Sequence, residues 1–162
     1  MLSIIVAIAE NNAIGRQGDL LCHMPDDLKH FKLITSGSTV IMGKRTWFSL
    51  PHHPLPNRRN IVITDIPGEQ IEGAEMAYSI EDAVRLADLD KENFIIGGGM
   101  VYRQFMPLAD KLYITHIHHA FPDADTFFPE ISPDIWQLLK EEHHSADDRN
   151  PYPYTFAEYI RK

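Results

Sequence analysis

At 162 residues, 44% of them hydrophobic, and with a formal net charge of -8, the chain has the length and apolar content of one compact domain and too few residues for two. The negative charge repels a phosphate backbone and so argues against a nucleic-acid or anionic-membrane binder; an anionic ligand must meet a local basic cluster. Cys22, the single cysteine, excludes an intrachain disulfide framework and fits a reducing compartment, which makes the cytoplasm the expected location.

The apolar opening Leu2-Ser-Ile-Ile-Val-Ala-Ile-Ala9 is short, follows no basic residue and runs into Glu10-Asn-Asn. It reads as a buried strand, and no other stretch approaches the roughly 20 apolar residues of a membrane span. A long loop over 10–24 leads to a helix over 26–35, where Leu28, Phe31 and Ile34 recur every three residues and Pro25 suits the first helical position. A strand over 39–43 passes directly into Lys44-Arg45-Thr46. A proline-rich loop over 50–59 precedes a strand over 60–64. A helix over 80–89 follows Ser79, then come a strand over 94–97, a helix over 100–108 and a strand over 112–117. After another long loop, 120–134, two strand-like runs over 136–142 and 154–160 have no helix between them. This order predicts an α/β fold, a largely parallel sheet with helices on both faces and an antiparallel finish. No linker or repeat divides the chain, and loops this long in a small domain are often functional.

Five segments bear on chemistry. Asp26 and Asp27 fall in the first turn of the first helix, where the helix dipole alone favours acids. Asp27, however, neighbours apolar Leu28 and Phe31, where a carboxylate needs a cationic or amidine-like partner such as a pterin ring. Gly43-Lys44-Arg45-Thr46 joins a helix start, two cations and a hydroxyl, a good phosphate site if the cations are not simply solvated. Ile95-Ile-Gly-Gly-Gly99 runs from strand into helix in a nucleotide-like way, although it matches neither G-x-G-x-x-G nor the P-loop spacing, and a bare turn would also accept the glycines. Arg58 and Arg59 follow an apolar rim of Leu50 and Leu55; they are solvated, or one clamps a carboxylate bidentately. His116 and His118 share a strand face, but no third ligand at metal spacing joins them, so no metal is expected. No nucleophile elbow or Ser-His-Asp order supports covalent catalysis.

Ile5-Val-Ala-Ile-Ala9, Ala13-Ile-Gly15, Met24-Pro-x-Asp-Leu-x-x-Phe-Lys32, Val40-Ile-Met-Gly-Lys-Arg-Thr-Trp47, Leu55-Pro-Asn-Arg-Arg-Asn60, Ile95-Ile-Gly-Gly-Gly99, Leu112-Tyr-Ile-Thr115 and Asp125-Thr-x-Phe-Pro129, in this order and spacing, closely resemble bacterial dihydrofolate reductase almost end to end. The resemblance implies one domain over 1–162, with an adenosine-binding part at about 39–88. Its central sheet would have eight mostly parallel strands, an antiparallel C-terminal strand and four flanking helices. The implied reaction is hydride transfer from NADPH to 7,8-dihydrofolate, giving 5,6,7,8-tetrahydrofolate for one-carbon and thymidylate metabolism; NADH would serve less efficiently.

By the same resemblance, Asp27 holds the pterin's amino group and ring nitrogen with support from Thr115, and Leu20 joins them in the catalytic set. Water delivers the proton to N5 while Asp27 orients the ring. Ile5, Val6, Ala7, Leu28, Phe31, Leu50, Leu55 and Ile96 line the substrate pocket, and Arg58 binds the glutamate carboxylate. Ala7, Ile14 and Gly15 contact the nicotinamide, with Tyr102 nearby. Thr46, Gly98, Gly99 and the following helix start hold the pyrophosphate, and Lys44, Arg45 and Thr64 surround the adenosine phosphate. Gly43, Ile63, Ile96, Gly97, Met100, Val101 and Thr126 complete the cofactor site, and a cis peptide joins Gly97 to Gly98. The loop over 10–24, with Gly15 and Gly18, closes over the nicotinamide. The implied protein is a monomer that binds 2,4-diaminopyrimidine and pteridine antifolates but neither nucleic acid nor membrane.

Three positions depart from the family pattern: Cys22 replaces a tryptophan, Asp65 an arginine, and Met100 a residue that is often basic. The last two weaken the preference for a 2'-phosphate, while Lys44, Arg45 and Thr64 keep NADPH the expected cofactor. A pyrimidine reductase of riboflavin synthesis shares the architecture and cofactor, but the Asp27 segment and Arg58 argue against it. A catalytically silent pterin or nucleotide-binding module is opposed by the intact glycine, basic and acidic segments.

Overall fold

The computed structural model describes residues 1–15 and 20–162; Gly18 of the expected closing loop lies outside them. The elements in chain order are β1 (Leu2–Ala9), β2 (Ala13–Gly15), α1 (Pro25–Thr35), β3 (Thr39–Gly43), α2 (Lys44–Ser49), β4 (Arg59–Ile63), β5 (Glu75–Ala77), α3 (Ile80–Leu86), β6 (Asn93–Gly97), α4 (Gly99–Phe105), β7 (Lys111–Ile117), β8 (Thr126–Phe127), β9 (Trp136–His144) and β10 (Tyr154–Arg161). Eight strands form one sheet in the order β5-β4-β3-β6-β1-β7-β10-β9. All of its pairings are parallel except the two made by β10, which runs against both β7 and β9. The mostly parallel sheet with an antiparallel C-terminal strand and four helices is therefore present.

Period-two alternation explains how the sheet is buried on both faces. Ile4, Ile8, Ile41, Ile61 and Ile95 pack into one core cluster, while their strand neighbours Ile5, Val40, Met42, Val62 and Phe94 pack into another. Trp47 of α2 seals the second cluster and is fully buried. The sheet's outer strands are modest edges: β5 has three residues, and the exposed stretch of β9 carries Lys140, Glu141 and Glu142. Such short or charged edges resist pairing with another sheet. Among the described residues, no helix is long and apolar enough to cross a membrane.

The strand and helix expectations differ from the structure mainly at short elements. β2 and β8 pair as a small antiparallel ribbon inside segments that read as loops, because two or three residues are too few to show a period. β5 escapes notice for the same reason. Ser79 caps α3 by accepting from the Asp82 amide at 2.9 Å, as its side chain suits. That helix stops at Leu86 rather than 89, with Ala87 extended, and α4 stops at Phe105 rather than 108. The carboxyl ends of β1, β3, β6 and β7 gather along one edge of the parallel sheet, where α/β sheets form their ligand crevices.

Candidate active site

At that edge a cleft is lined by Ala7, Ile14, Leu20 and Leu28, by Leu21, Met24 and Ile117, and by Cys22 and Asp27. Asp27 is its one acidic lining residue among those described. α1 places it there, because Pro25 starts the helix and Asp26 and Asp27 share its first turn. The two acids then part company. Asp26 is tied to the C-terminal region: its amide donates to Asn150 Oδ1 at 3.1 Å, and its carboxylate accepts from the Tyr154 hydroxyl at 2.9 Å. Asp27 faces the cleft and accepts a 2.6 Å hydrogen bond from Thr115 Oγ1 on β7. Burial raises its carboxyl above the ordinary carboxylate range, and the Thr115 bond opposes that rise.

The apolar side chains expected around a substrate fall mostly on one side. Ile5 belongs to the second core cluster, against which Phe31, Leu50, Leu55 and Ile96 pack. Val6 is the exception: its side chain sits in the opposite cluster with Ile4 and Ile8, since alternate residues of β1 face opposite sides of the sheet. Arg58 lies at the end of this wall with its guanidinium carbon 5.9 Å from the Phe31 ring centroid. Its Nη1 donates to Thr35 Oγ1 at 3.0 Å and its Nε to the Pro56 carbonyl at 2.9 Å. Asn60 holds the preceding turn by accepting from the Leu55 amide at 2.9 Å and donating to the Leu55 carbonyl at 3.0 Å. Partial burial draws the Arg58 pKa below its usual range, since desolvation disfavours the charged guanidinium. Neighbouring Arg59 instead pairs with Glu75 at 2.5 Å on the outer strands. Thr35, which fixes Arg58, had no signal in the sequence beyond being polar, and Asn60 was marked only as the last residue of the Leu55–Asn60 segment.

A second region has almost no side chains in the way. Gly97 and Gly98 are joined by a cis peptide, and Gly97 has φ +125°. A Cβ on Gly97 would lie 3.3 Å from both Thr46 Oγ1 and the Tyr102 hydroxyl. One on Gly98 would lie 3.4 Å from Thr46 Oγ1, and one on Gly43 would lie 3.1 Å from Val101 Cγ2. One on Gly99 would meet Thr126 Cγ2 at 2.7 Å and Ile14 Cδ1 at 3.9 Å, so the β2–β8 ribbon leans on the start of α4. Gly15, at the end of β2, is buried, and its carbonyl accepts from the Asp125 amide at 3.1 Å. Tyr102, buried in α4, donates from its hydroxyl to the Ile5 carbonyl at 2.9 Å. Its phenol is raised far above its ordinary range, first by burial and then by the nearby Asp27 charge. The bare backbone from Gly43 across to Gly97–Gly99 fits the flat rings and pyrophosphate of a dinucleotide, which a row of Cβ atoms would obstruct. Val101 is buried beside this surface, whereas Met100 is exposed.

Farther along, Lys44 of α2 and Thr64, the residue after β4, come together through Glu69, and Ile63 is partly buried. Both are already engaged: Lys44 Nζ lies 3.1 Å from Glu69 Oε1, and the Thr64 hydroxyl donates to the same carboxylate. Glu69 carried no motif in the sequence. Arg45 and Asp65, next to Lys44 and Thr64 in sequence, are exposed.

The histidines that invited a metal reading, His116 of β7 and the neighbouring His118, are engaged by β10. His116 Nε2 is 2.8 Å from the Tyr159 hydroxyl. His118 Nε2 and His143 Nδ1 meet Thr155 Oγ1 at 2.7 and 2.8 Å. Among the described residues, no three His, Cys, Asp or Glu side chains are grouped to hold a metal ion.

Comparison with known proteins agrees with this geometry. The family model described as dihydrofolate reductase matches residues 1–161. The chain is 42% identical to the dihydrofolate reductase of Bacillus subtilis (strain 168), covering 100% of this chain and 95% of that one. It is 43% identical to a dihydrofolate reductase type 3 of Salmonella typhimurium, covering 100% and 99%. Among solved structures it is similar to the dihydrofolate reductase from Enterococcus faecalis complexed with NADP(H) and RAB-propyl, with TM-score 0.91, 37% identity, and coverage of 100% and 96%. A family match from one end to the other, together with relatives above 40% identity over the whole chain, makes this protein a member of the dihydrofolate reductase family.

Proposed function

We infer that the chain reduces 7,8-dihydrofolate to 5,6,7,8-tetrahydrofolate with NADPH, and that the carboxyl of Asp27 organises the reaction. One observation carries this reading. A desolvated acid, held by Thr115 in a cleft whose other described lining residues are apolar side chains and Cys22, lies on the same sheet edge as the bare Gly97–Gly99 surface. A pterin supplies an amino group and a ring nitrogen that can pair with such a carboxylate. NADPH, when bound, supplies the hydride and therefore the redox chemistry.

The chain's own contribution is position and field. Asp27 and Thr115 orient the pterin edge, Ala7 and Ile14 bound the space where the two rings meet, and Leu20 with Leu28 restricts water at its mouth. Arg58 anchors the carboxylate at the substrate's far end, pre-oriented by Thr35 and Pro56. Thr46 and the glycine surface seat the dinucleotide, while Lys44, Arg45 and Thr64 face its adenosine phosphate. Solvent delivers the proton to N5; Asp27 favours that transfer electrostatically and need not touch the atom.

The same carboxylate would bind 2,4-diaminopyrimidine and pteridine antifolates through their protonatable amidine edge. The short and charged sheet edges support a monomer, and the lone cysteine supports a cytoplasmic location. The test is loss of reduced-nicotinamide absorbance on adding dihydrofolate, with NADPH and NADH run in parallel. Oxidation that depends on dihydrofolate is expected. Folded protein that oxidises neither cofactor overturns the reading in favour of a pyrimidine reductase or a silent binding module.

A further inference from the structure

The Lys44 and Thr64 side chains, assigned above to the adenosine phosphate, share one carboxylate. Lys44 Nζ is 3.1 Å from Glu69 Oε1 and 3.4 Å from Oε2, and Thr64 Oγ1 donates to Oε1. Glu69 is held in place by its backbone as well. Its amide donates to the Ile66 carbonyl at 3.2 Å, and its own carbonyl accepts from the Tyr78 hydroxyl at 3.0 Å. The Ile66 amide in turn donates to Thr64 Oγ1 at 3.2 Å. Glu69, Thr64 and Lys44 therefore form a closed arrangement that spans α2, the end of β4 and the turn following it. Only about a quarter of the Glu69 side chain is exposed, and about a third of the Lys44 side chain. The two bonds hold the Glu69 carboxyl below its ordinary range, Thr64 more strongly than Lys44, so the acid stays charged at neutral pH.

We propose that Glu69 is a specificity-determining residue at the adenosine end of the cofactor site, lowering the preference for NADPH over NADH by holding the Lys44 and Thr64 side chains that a 2'-phosphate needs. This rests on the assignment of Lys44 and Thr64 to that phosphate. A phosphate ester brings a charge of about -1.5 to -2, and placing it against a carboxylate is unfavourable unless the carboxylate moves or takes up a proton. The 2'-hydroxyl of NADH has the opposite relation to the same group, because it can donate a hydrogen bond to Glu69 without displacing either partner. The local charge tells the same story: the two cations, Lys44 and Arg45, are matched by two acids, Asp65 and Glu69.

The experiment measures NADPH and NADH dissociation constants by calorimetry, in the absence of folate, for the parent, Glu69→Gln and Lys44→Gln proteins, with thermal unfolding of each. Glu69→Gln keeps an oxygen that accepts from Thr64 and removes the charge. It is expected to tighten NADPH about tenfold, within the cost of a like-charge contact, to leave NADH the same or weaker, and to lose part of this advantage at high salt. Glu69→Ala, should the glutamine variant fold poorly, is expected to shift the ratio of the two constants in the same direction. A ratio unchanged or moved toward NADH in the Glu69 variants, while Lys44→Gln still weakens NADPH, overturns the role of Glu69 alone. A Lys44→Gln protein that binds NADPH as tightly as the parent overturns the phosphate assignment and with it this proposal. A general loss of packing would weaken both cofactors together, so the ratio separates specificity from stability.

Discussion

Replacing Asp27 by asparagine should make the unliganded protein more stable and the enzyme far slower. The carboxyl is desolvated beside apolar side chains, and the Thr115 hydroxyl at 2.6 Å offsets part of that cost. Between the ordinary carboxyl range near pH 4 and its raised value in the folded chain, the native state keeps a proton that the unfolded state has lost. Stability therefore falls as pH rises through that window, and the full cost is present above it. Every tenfold rise in the carboxyl's proton affinity corresponds to about 1.4 kcal/mol. Asparagine has no such cost, and its side-chain oxygen still accepts from Thr115. In a domain of this size each 1 kcal/mol moves Tm by roughly 2–4 °C. Thermal unfolding of both proteins without ligand should give a higher Tm for Asp27→Asn at pH 7 and a difference that shrinks toward pH 4. Dihydrofolate turnover at pH 7 should drop by about two decades or more, the scale of losing one preorganised electrostatic group. An asparagine variant no more stable than the parent at pH 7, or a stability difference independent of pH, refutes the desolvation argument; near-parental turnover refutes the catalytic one.

Arg58→Ala should raise KM for dihydrofolate by about 30-fold or more with little change in kcat, because a remote carboxylate contact acts on the ground state and the transition state alike; steady-state kinetics at saturating NADPH would show the split. Gly97→Ala places a side chain at φ +125° with its Cβ 3.3 Å from Thr46 Oγ1 and the Tyr102 hydroxyl. A loss of about 1–3 kcal/mol is expected from the backbone strain, read by denaturant unfolding, together with weaker NADPH binding. Cys22 lines the cleft, so a maleimide should abolish turnover in the parent, more slowly once dihydrofolate is bound, and leave a Cys22→Ser variant active. A Cys22→Trp protein, which changes the bulk and polarity of the cleft wall, should differ from the parent in its affinity for a 2,4-diaminopyrimidine.

Local pattern carried much of this protein's design. The buried β1, the alternation of strand and helix, and the turn of α1 that carries Asp27 are all set by nearest neighbours: β-branched runs closed by glycine or proline, a proline at the first helical position, and apolar residues spaced for one face. The ordered segments from Ile5 to Pro129 carried the family. The β2–β8 ribbon was invisible because its strands are too short to have a period, and its pairing joins residues more than a hundred positions apart. Tertiary structure also decided which of two adjacent acids is structural: Asp26 finds Tyr154 and Asn150 from the far end of the chain, and Asp27 is left to the cleft. It likewise decided that Val6 packs into one core cluster and Ile5 into the other, and it brought Glu69 onto Lys44 and Thr64. Sequence determines what each residue offers within a few positions of itself. The partner that satisfies a buried charge or hydroxyl is chosen by contacts between distant segments, and only the folded chain makes those.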